Sequence, residues 1–386
     1  MVIKMQKKKH LARLLCGLLA VGTTFMGCSR DGAEKDTEDS SAGNVTVPGA
    51  VTMSEEDYAM YSIADTKSAY PDIPYVMQFT HGDGTTGDTV TYDEFRYYQL
   101  LYKNYFDEGN DQYWTVNPEM KTRVVNLYNT EILRNHAAAA ACAKYGIALT
   151  EEEIRDINYD NAEMAASFGS MDYFLQALDV YHMSAYYYDY YSKLSVLYEK
   201  LRNYYLQNGV ILTEEADIRA MLSTDVFVHA KHILIMNNEG DTPEENRALA
   251  DSILEQLKNG EDFDTLMNTY SEDTGLTAYP DGYYFFHDEM DEAFADAAFA
   301  LKDGEMSEVV ESSYGYHIIL RCQKEDAYID ENFDSIKSTY QSLRFYEALD
   351  AEYADWTTEY CENFETYSDW HYAEQLGSLY THEAIG

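Results

Sequence analysis

The segment SSYGYHIILRC, residues 312–322, places a histidine inside a pattern typical of a buried β-strand. Residues 316–320 are otherwise aromatic, β-branched or leucine, and His317 is the only side chain among them that ionises near neutral pH. A buried polar group that lacks a hydrogen-bonding partner costs about 1–3 kcal/mol. We therefore expect His317 to have a polar partner close by.

A second strand pattern, VFVHAKHILI at residues 226–235, carries two more histidines. His229 and His232 are an odd number of residues apart, so on one strand their side chains face opposite sides of the sheet. They cannot bind the same metal ion from that strand. No CxxC pair or other cluster has metal-ligand spacing, and we predict neither a metal site nor a cofactor.

The elements that must position these histidines form a compact α+β pattern from residue 225 onward. The predicted order is β-α-α-(β)-α-β-β, over about a hundred residues, which is a usual domain size. Thr242 as N-cap, Pro243 at the first helical position and Gly260 as terminator mark the first helix. The last predicted helix carries one apolar stripe: Met290, Phe294, Ala298 and Leu301.

Helical patterns flank this segment on both sides. Residues 117–207 are predicted to be helical, and Thr150 with Glu153 forms a capping box. Residues 82–87 match GxGxxG but do not open into a helix, so we predict a hairpin turn there. Beyond Asp330 the apolar residues again have helical spacing. If that helix packs on the first helical region, the α+β domain is an insertion in a discontinuous helical domain.

The first 28 residues have the pattern of an export signal. Five basic residues precede an apolar run of about a dozen residues, too short for a stable transmembrane helix. Phe25-Met26-Gly27-Cys28 resembles the lipobox of bacterial lipoproteins, which implies lipidation of Cys28; the alternative is a plain secretory signal. The polar residues that follow are typical of a flexible tether. We predict a lipid-anchored protein on the outer face of the cell membrane.

The chain is strongly acidic. Its formal net charge is −42, and removal of residues 1–27, which hold five basic and no acidic residues, changes it to −47. Such a chain repels phosphates, so nucleic-acid binding is excluded. Three cysteines would remain beside Cys28, namely Cys142, Cys322 and Cys361; they allow at most one internal disulfide, which the sequence does not decide.

The α+β segment resembles the parvulin-type peptidyl-prolyl cis–trans isomerases, and the layout is similar to that of their exported foldase lipoproteins. The matching stretches are AKHILI at 230–235, LKNGEDFDTLMNTYSED at 257–273 and DEAFADAAFALKDGEMSEVVESSYGYHIIL at 291–320. The resemblance implies a four-stranded antiparallel sheet with surrounding helices, inserted in a mainly helical chaperone-like domain. The resulting hypothesis has five segments: signal peptide 1–27, tether 28–75, helical domain 76–225, parvulin-like domain 226–325 and C-terminal helical region 326–386.

The same resemblance assigns the site. It places His232 and His317 on neighbouring central strands as hydrogen-bonding partners, with Asp273 beside them and the Tyr314 hydroxyl completing the network. It implies a proline pocket lined by Met290 and Phe294, whose spacing of four predicts one helix face, by Phe285 or Phe286, and by Tyr283 in a reshaped loop.

The function predicted from this resemblance is isomerisation of X-Pro bonds in unfolded or partly folded exported polypeptides. The loop MNNEGDTPEE after the first strand is acidic, which disfavours phosphorylated substrates. The alternative is a non-catalytic holdase, which the altered segment AYPDGYYFF around Tyr283 would favour.

Overall fold

A computed structural model describes residues 53–237 and 242–379 of the chain, and its fold is α+β. The predicted signal peptide and Cys28 lie outside the described residues. Within them the chain divides into two compact units. Unit 1 contains residues 53–210 and 345–379, and unit 2 contains residues 211–344 apart from the gap.

Helices make up most of the described chain. In chain order they are α1 Glu55–Tyr61, α2 Tyr92–Asp107, α3 Tyr113–Val116, α4 Pro118–Lys144, α5 Glu151–Ser167, α6 Met171–Val180, α7 Ala185–Gln207, α8 Glu215–Leu222, α9 Pro243–Lys258, α10 Phe263–Tyr270, α11 Glu292–Ala300, α12 Asp326–Glu352, α13 Phe364–Tyr367 and α14 Trp370–Gln375. Two short 3₁₀ turns, Thr274–Thr277 and His287–Glu289, flank the fourth strand.

The strands form two antiparallel sheets, one in each unit. They are β1 Met77–Thr80, β2 Thr86–Val90, β3 Phe227–Met236, β4 Tyr283–Phe286, β5 Val310–Glu311, β6 Gly315–Cys322 and β7 Thr357–Tyr360. The sheet of unit 2 has the order β4-β3-β6-β5, which is the predicted four-stranded antiparallel sheet. The sheet of unit 1 has the order β2-β1-β7.

The two faces of the unit 2 sheet bury different helices, because strand residues alternate between faces. Val228 and Ala230 of β3 lie with Ile319 against α11, in a cluster that also contains Phe285, Phe294 and Ala298. Odd-numbered residues such as Ile233 and Ile235 lie with Ile318 against α9 and α10. The helix α9 begins at Pro243, as predicted, and buries Ala250, Ile253 and Leu254.

Unit 1 confirms the hairpin predicted at residues 82–87 and the helical stretch that follows. The strands β1 and β2 pair antiparallel, with Met77 opposite Val90. Thr150 and Glu153 form the reciprocal capping box at the start of α5. Thr91 also caps α2, because its side chain accepts the Glu94 N–H.

Two boundary predictions were wrong. The predicted tether extends to residue 75, but α1, buried Ile63 and a 3.0 Å bond from the Ala69 N–H to Asp93 Oδ1 show folded structure from residue 54 onward. The C-terminal region is not purely helical, because β7 pairs with β1, with Thr358 opposite Phe79. Its segment TTEY is mostly exposed and polar, and therefore lacks the apolar alternation of a half-buried strand.

The helix α12 buries the predicted apolar stripe over most of its length. Its buried residues include Phe333, Ile336, Tyr340, Leu343 and Leu349. The helix ends at Glu352, so the apolar residues Tyr353 and Trp356 lie beyond it. Cys142, Cys322 and Cys361 are free thiols. Within residues 53–237 and 242–379, no helix is both long and apolar enough to cross a membrane.

Candidate functional site

His232 on β3 and His317 on β6 lie on the same face of the unit 2 sheet. His317 pairs with Leu234, which is two residues from His232, so the two imidazoles are diagonal neighbours across the strands. Their Nδ1 atoms are 3.0 Å apart, and the rings are within 12° of parallel. Both side chains are buried. Each histidine therefore has the polar partner that its burial requires.

Asp273 binds the other side of His232. Its Oδ2 lies 2.9 Å from His232 Nε2, and it accepts the Tyr283 hydroxyl proton over 2.6 Å. Its Oδ1 accepts the Gly275 N–H over 2.9 Å, as the N-cap of the 3₁₀ turn 274–277. Burial alone would raise the pKa of Asp273, but the hydrogen bonds from His232, Tyr283 and Gly275 lower it to about 2. Asp273 is therefore a carboxylate at neutral pH.

Ser312 closes the chain of hydrogen bonds at its other end. Its Oγ lies 2.6 Å from His317 Nε2 and also accepts the Tyr314 backbone N–H over 3.0 Å. Tyr314, whose hydroxyl we predict to complete the network, lies in the same turn, and its backbone N–H supports Ser312. The signal that could have pointed to Ser312 is a hydroxyl residue just before the tight Tyr314-Gly315 turn into β6.

These contacts fit one direction of proton donation. Since Asp273 is an acceptor, His232 Nε2–H donates to it. In a neutral His232 the Nδ1 atom then accepts from His317 Nδ1–H, and His317 Nε2 accepts from the Ser312 hydroxyl. Burial, reinforced by the charge that His232 carries when protonated, lowers the pKa of His317 to about 3. The chain Ser312–His317–His232–Asp273 is thus satisfied with both imidazoles neutral.

An apolar wall stands against the two imidazoles. The Phe294 ring centroid is 5.2 Å from His232 and 5.2 Å from His317, in edge-on arrangements. Phe285 lies behind it, 5.8 Å from the Phe294 ring. Phe286 is on the opposite face of β4, where it packs on Phe227 at 4.8 Å. Of the two phenylalanines predicted for the pocket, Phe285 lies in the cluster that contains Phe294, and Phe286 does not.

Met290 reaches the same cluster from a different position than predicted. The spacing of four to Phe294 suggested one helix face, but α11 begins at Glu292 with Asp291 as its N-cap. Met290 lies before the helix with extended backbone, φ −122° and ψ 168°. Its partly buried side chain nevertheless packs on the cluster that contains Phe294. Met290 therefore lies near Phe294 but not on the same helix face, so the predicted helical geometry is wrong.

His229 lies on the opposite face from His232, as strand parity predicts. Its Nδ1 is 3.0 Å from the Gln323 carbonyl oxygen, its Nε2 is 2.8 Å from the Asp281 carbonyl oxygen, and its ring stacks on Tyr284 at 4.0 Å. Both ring nitrogens face backbone carbonyl oxygens away from the site, so His229 holds loop backbone and does not extend the site. Within the described ranges, no group of three or more histidine, cysteine and acidic side chains could hold a metal ion.

Comparison with known proteins gives a match over unit 2. Residues 217–325 match the family described as the PPIC-type PPIase domain. The chain is 33% identical over 142 residues to the foldase protein PrsA of Bacillus subtilis, which covers 36% of this chain and 45% of that protein. It is 29% identical over 136 residues to the chaperone SurA of Burkholderia thailandensis, covering 35% of this chain and 30% of that protein.

A crystal structure of PrsA from Bacillus subtilis has 23% identity, covers 61% of this chain and 87% of that chain, and has a TM-score of 0.24. The matched part spans less than half the length of these two curated relatives. Residues 217–325 contain the two histidine strands, Asp273 and the Phe294 wall. This segment of the chain belongs to the PPIC-type, or parvulin, family of peptidyl-prolyl isomerase domains.

Proposed function

We propose that the chain catalyses cis–trans isomerisation of X-Pro bonds, with the His232–His317 pair at the reacting amide and Phe294, Phe285 and Met290 around the proline ring. The observation that carries the proposal is the complete hydrogen-bond chain from Ser312 to Asp273 beside this apolar wall. Isomerisation breaks no covalent bond. The barrier of roughly 18–20 kcal/mol comes from resonance in the planar amide.

The geometry can lower that barrier by weakening the resonance. The planar amide carries partial negative charge on its carbonyl oxygen, and water stabilises that charge. An apolar wall removes water from that oxygen, and His317, whose pKa is lowered to about 3, supplies no cation to replace the water. The nearby Asp273 carboxylate further disfavours negative charge on the carbonyl oxygen. Since the twisted amide has lost this charge separation, the site stabilises it relative to the planar form.

The substrates we propose are unfolded or partly folded exported polypeptides that are not phosphorylated. Two carboxylates support this choice: Asp273 contacts His232, and Asp291 lies close enough to act electrostatically on His317. In the same unit Lys231 pairs with Asp264, Arg247 with Asp251 and Lys258 with Glu308. A phosphorylated substrate would therefore meet like charge near the site, whereas neutral or basic segments would not.

A second role, as a holdase that binds unfolded chains, is compatible with the relatives' names, foldase and chaperone. Refolding of a client whose slow phase is proline isomerisation separates the two roles, because uncatalysed isomerisation takes tens to hundreds of seconds. We expect the full chain to shorten that phase and His232→Ala to abolish the effect while still suppressing client aggregation. If wild type and His232→Ala suppress aggregation equally and neither shortens the slow phase, the chain is a holdase alone.

The proposed location is the outer face of the cell membrane, with Cys28 lipidated. This proposal rests on the signal pattern of residues 1–28. Metabolic labelling with a fatty acid should mark the wild-type chain and not Cys28→Ser. Equal recovery of wild type and Cys28→Ser in the soluble extracellular fraction would contradict the lipid anchor.

A further inference from the structure

Tyr283 lies where the loop after Asp273 returns to the sheet as β4. Its ring meets the His232 ring edge-on, with 5.7 Å between centroids and 81° between planes. Its hydroxyl donates to Asp273 Oδ2 over 2.6 Å, and the same oxygen accepts from His232 Nε2 over 2.9 Å. One carboxylate oxygen therefore joins a tyrosine hydroxyl to the first imidazole of the pair.

Gly275 leaves the space that this hydroxyl occupies. Its backbone N–H donates to Asp273 Oδ1 over 2.9 Å, which brings its Cα close to the carboxylate. A Cβ added at Gly275 would lie 2.0 Å from Tyr283 Oη and 3.2 Å from Asp273 Oδ1. Because the hydroxyl is the end of a rigid ring that starts a strand, a side chain at residue 275 must displace it.

The Tyr283 hydrogen bond has consequences beyond Asp273. A hydroxyl donating to a carboxylate at this distance is charge-assisted and about twice as strong as a bond between neutral groups. With the Gly275 N–H on the other oxygen, it fixes the plane of the carboxylate. Oδ2 is then held toward His232 Nε2, which keeps the proton on that nitrogen and leaves Nδ1 to accept from His317.

We propose that Tyr283 is a positioning residue for the His232–His317 pair, and that Gly275 is required because it admits the Tyr283 hydroxyl. Tyr283 acts through Asp273 on His232 and does not itself act on the amide. The effect on rate rests on the proposed isomerase function, whereas the effect on the imidazole does not.

Four variants of the full chain test the proposal by kcat/KM on a short proline peptide. Tyr283→Phe keeps the ring and removes the hydroxyl, and we expect kcat/KM to fall about tenfold, as for loss of a bond to a charged group. Gly275→Ala should give a similar fall. The double variant should be no slower than the worse single variant, since both remove one interaction. Tyr279→Phe is the matched control, because this half-exposed neighbour lies 5.0 Å from the Tyr283 ring; its rate should equal that of the wild type.

Nitrogen-15 NMR of the imidazoles gives a readout that needs no activity. Tyr283→Phe should shift the His232 ring nitrogens while backbone signals of β3 and β6 stay in place, and Tyr279→Phe should leave the His232 ring unchanged. Wild-type His232 signals in Tyr283→Phe would overturn the proposal, as would single-variant losses that multiply in the double variant. A wild-type chain without isomerase activity would contradict the proposed function, and the NMR result would then decide the positioning role by itself.

Discussion

His232 Nδ1 and His317 Nδ1 face each other across 3.0 Å on neighbouring strands, with nearly parallel rings. Only one of these nitrogens carries the shared proton, so the pair has a direction. With His232 neutral, the Asp273 contact sets this direction, because His232 Nε2–H donates to Asp273 and leaves Nδ1 to accept from His317. The predictions below follow from this ordered chain and from the apolar wall beside it.

Removing the Ser312 hydroxyl should destabilise unit 2 and slow the proposed reaction. Ser312→Ala leaves the buried His317 Nε2 without that partner, at a cost of about 1–3 kcal/mol in the free energy of unfolding. Ser313→Ala is the control, because Ser313 Oγ donates to Asp291 instead, over 2.7 Å. Denaturant unfolding, monitored by hydrogen exchange of the β6 amides, measures the difference in unfolding free energy between the two variants. Equal losses in the two variants would contradict the assigned role of Ser312.

Phe285 and Phe286 should differ in their effect on substrate binding. Both are buried, but Phe285 lies beside Phe294 and Phe286 packs on Phe227 across the sheet. Phe285→Leu and Phe286→Leu should each lower the free energy of unfolding by about 1–3 kcal/mol. Only Phe285→Leu should also raise KM for a proline peptide. A rise in KM for Phe286→Leu alone would mean that the pocket lies on the Phe286 face of β4, which would contradict the proposal.

Acid should weaken unit 2 in a range set by His317. Its pKa is lowered to about 3 in the folded state and is about 6.5 when unfolded. A base whose folded pKa is depressed adds stability above pH 6.5, and this contribution is lost as pH falls through 3. Asp273 has the same direction over a lower range, since its pKa falls from 3.8 to about 2. The unfolding free energy of His317→Asn, followed through exchange of the β3 amides, should decline less between pH 6.5 and 4.

Alkali should weaken unit 1 through a different histidine. Burial opposes protonation of His136, but two carboxylates raise its pKa to about 9. Glu94 Oε2 lies 3.1 Å from His136 Nε2, and Asp88 Oδ2 lies 3.9 Å from His136 Nδ1. A raised pKa adds stability that is complete below 6.5 and is lost as pH rises through 9. All three tryptophans, Trp114, Trp356 and Trp370, lie in unit 1 and report its unfolding by fluorescence.

The comparison variant for this prediction is His136→Gln. It should be less stable than the wild type at pH 6, and the gap in unfolding free energy should narrow toward pH 9.5. A gap that stays constant over this range would mean that the imidazolium contributes nothing beyond packing.

Much of the site could be predicted from residue patterns, because strand parity fixes which side chains share a face. Parity predicts that His229 and His232 lie on opposite faces of the sheet, and the family resemblance identifies His317 as the hydrogen-bonding partner of His232. The choice between Phe285 and Phe286 also reduces to parity once β4 is known to begin at Tyr283. Contacts made by turns could not be obtained in this way. Ser312 and the Tyr283 hydroxyl depend on loop geometry that no periodic pattern encodes.

The wrong boundaries have similar physical causes. The short strand β7 is polar and mostly exposed, so only its pairing with β1 reveals it. Residues 54–75 form only one short helix, and a few contacts, such as buried Ile63 and the bond from the Ala69 N–H to Asp93, attach them to unit 1. Met290 was assigned to a helix by spacing alone, whereas the Asp291 side chain, by accepting the Ala293 N–H, starts α11 just after it.

The most direct test of the account is cis–trans exchange in a short Ala-Pro peptide, measured by NMR exchange spectroscopy with the full chain present. We predict that the wild type accelerates exchange well above the uncatalysed rate and that His317→Ala, with the circular dichroism of the wild type, does not. An exchange rate equal to that in buffer for the wild type, or equal acceleration by His317→Ala, would contradict the claim that the histidine pair forms an isomerase site.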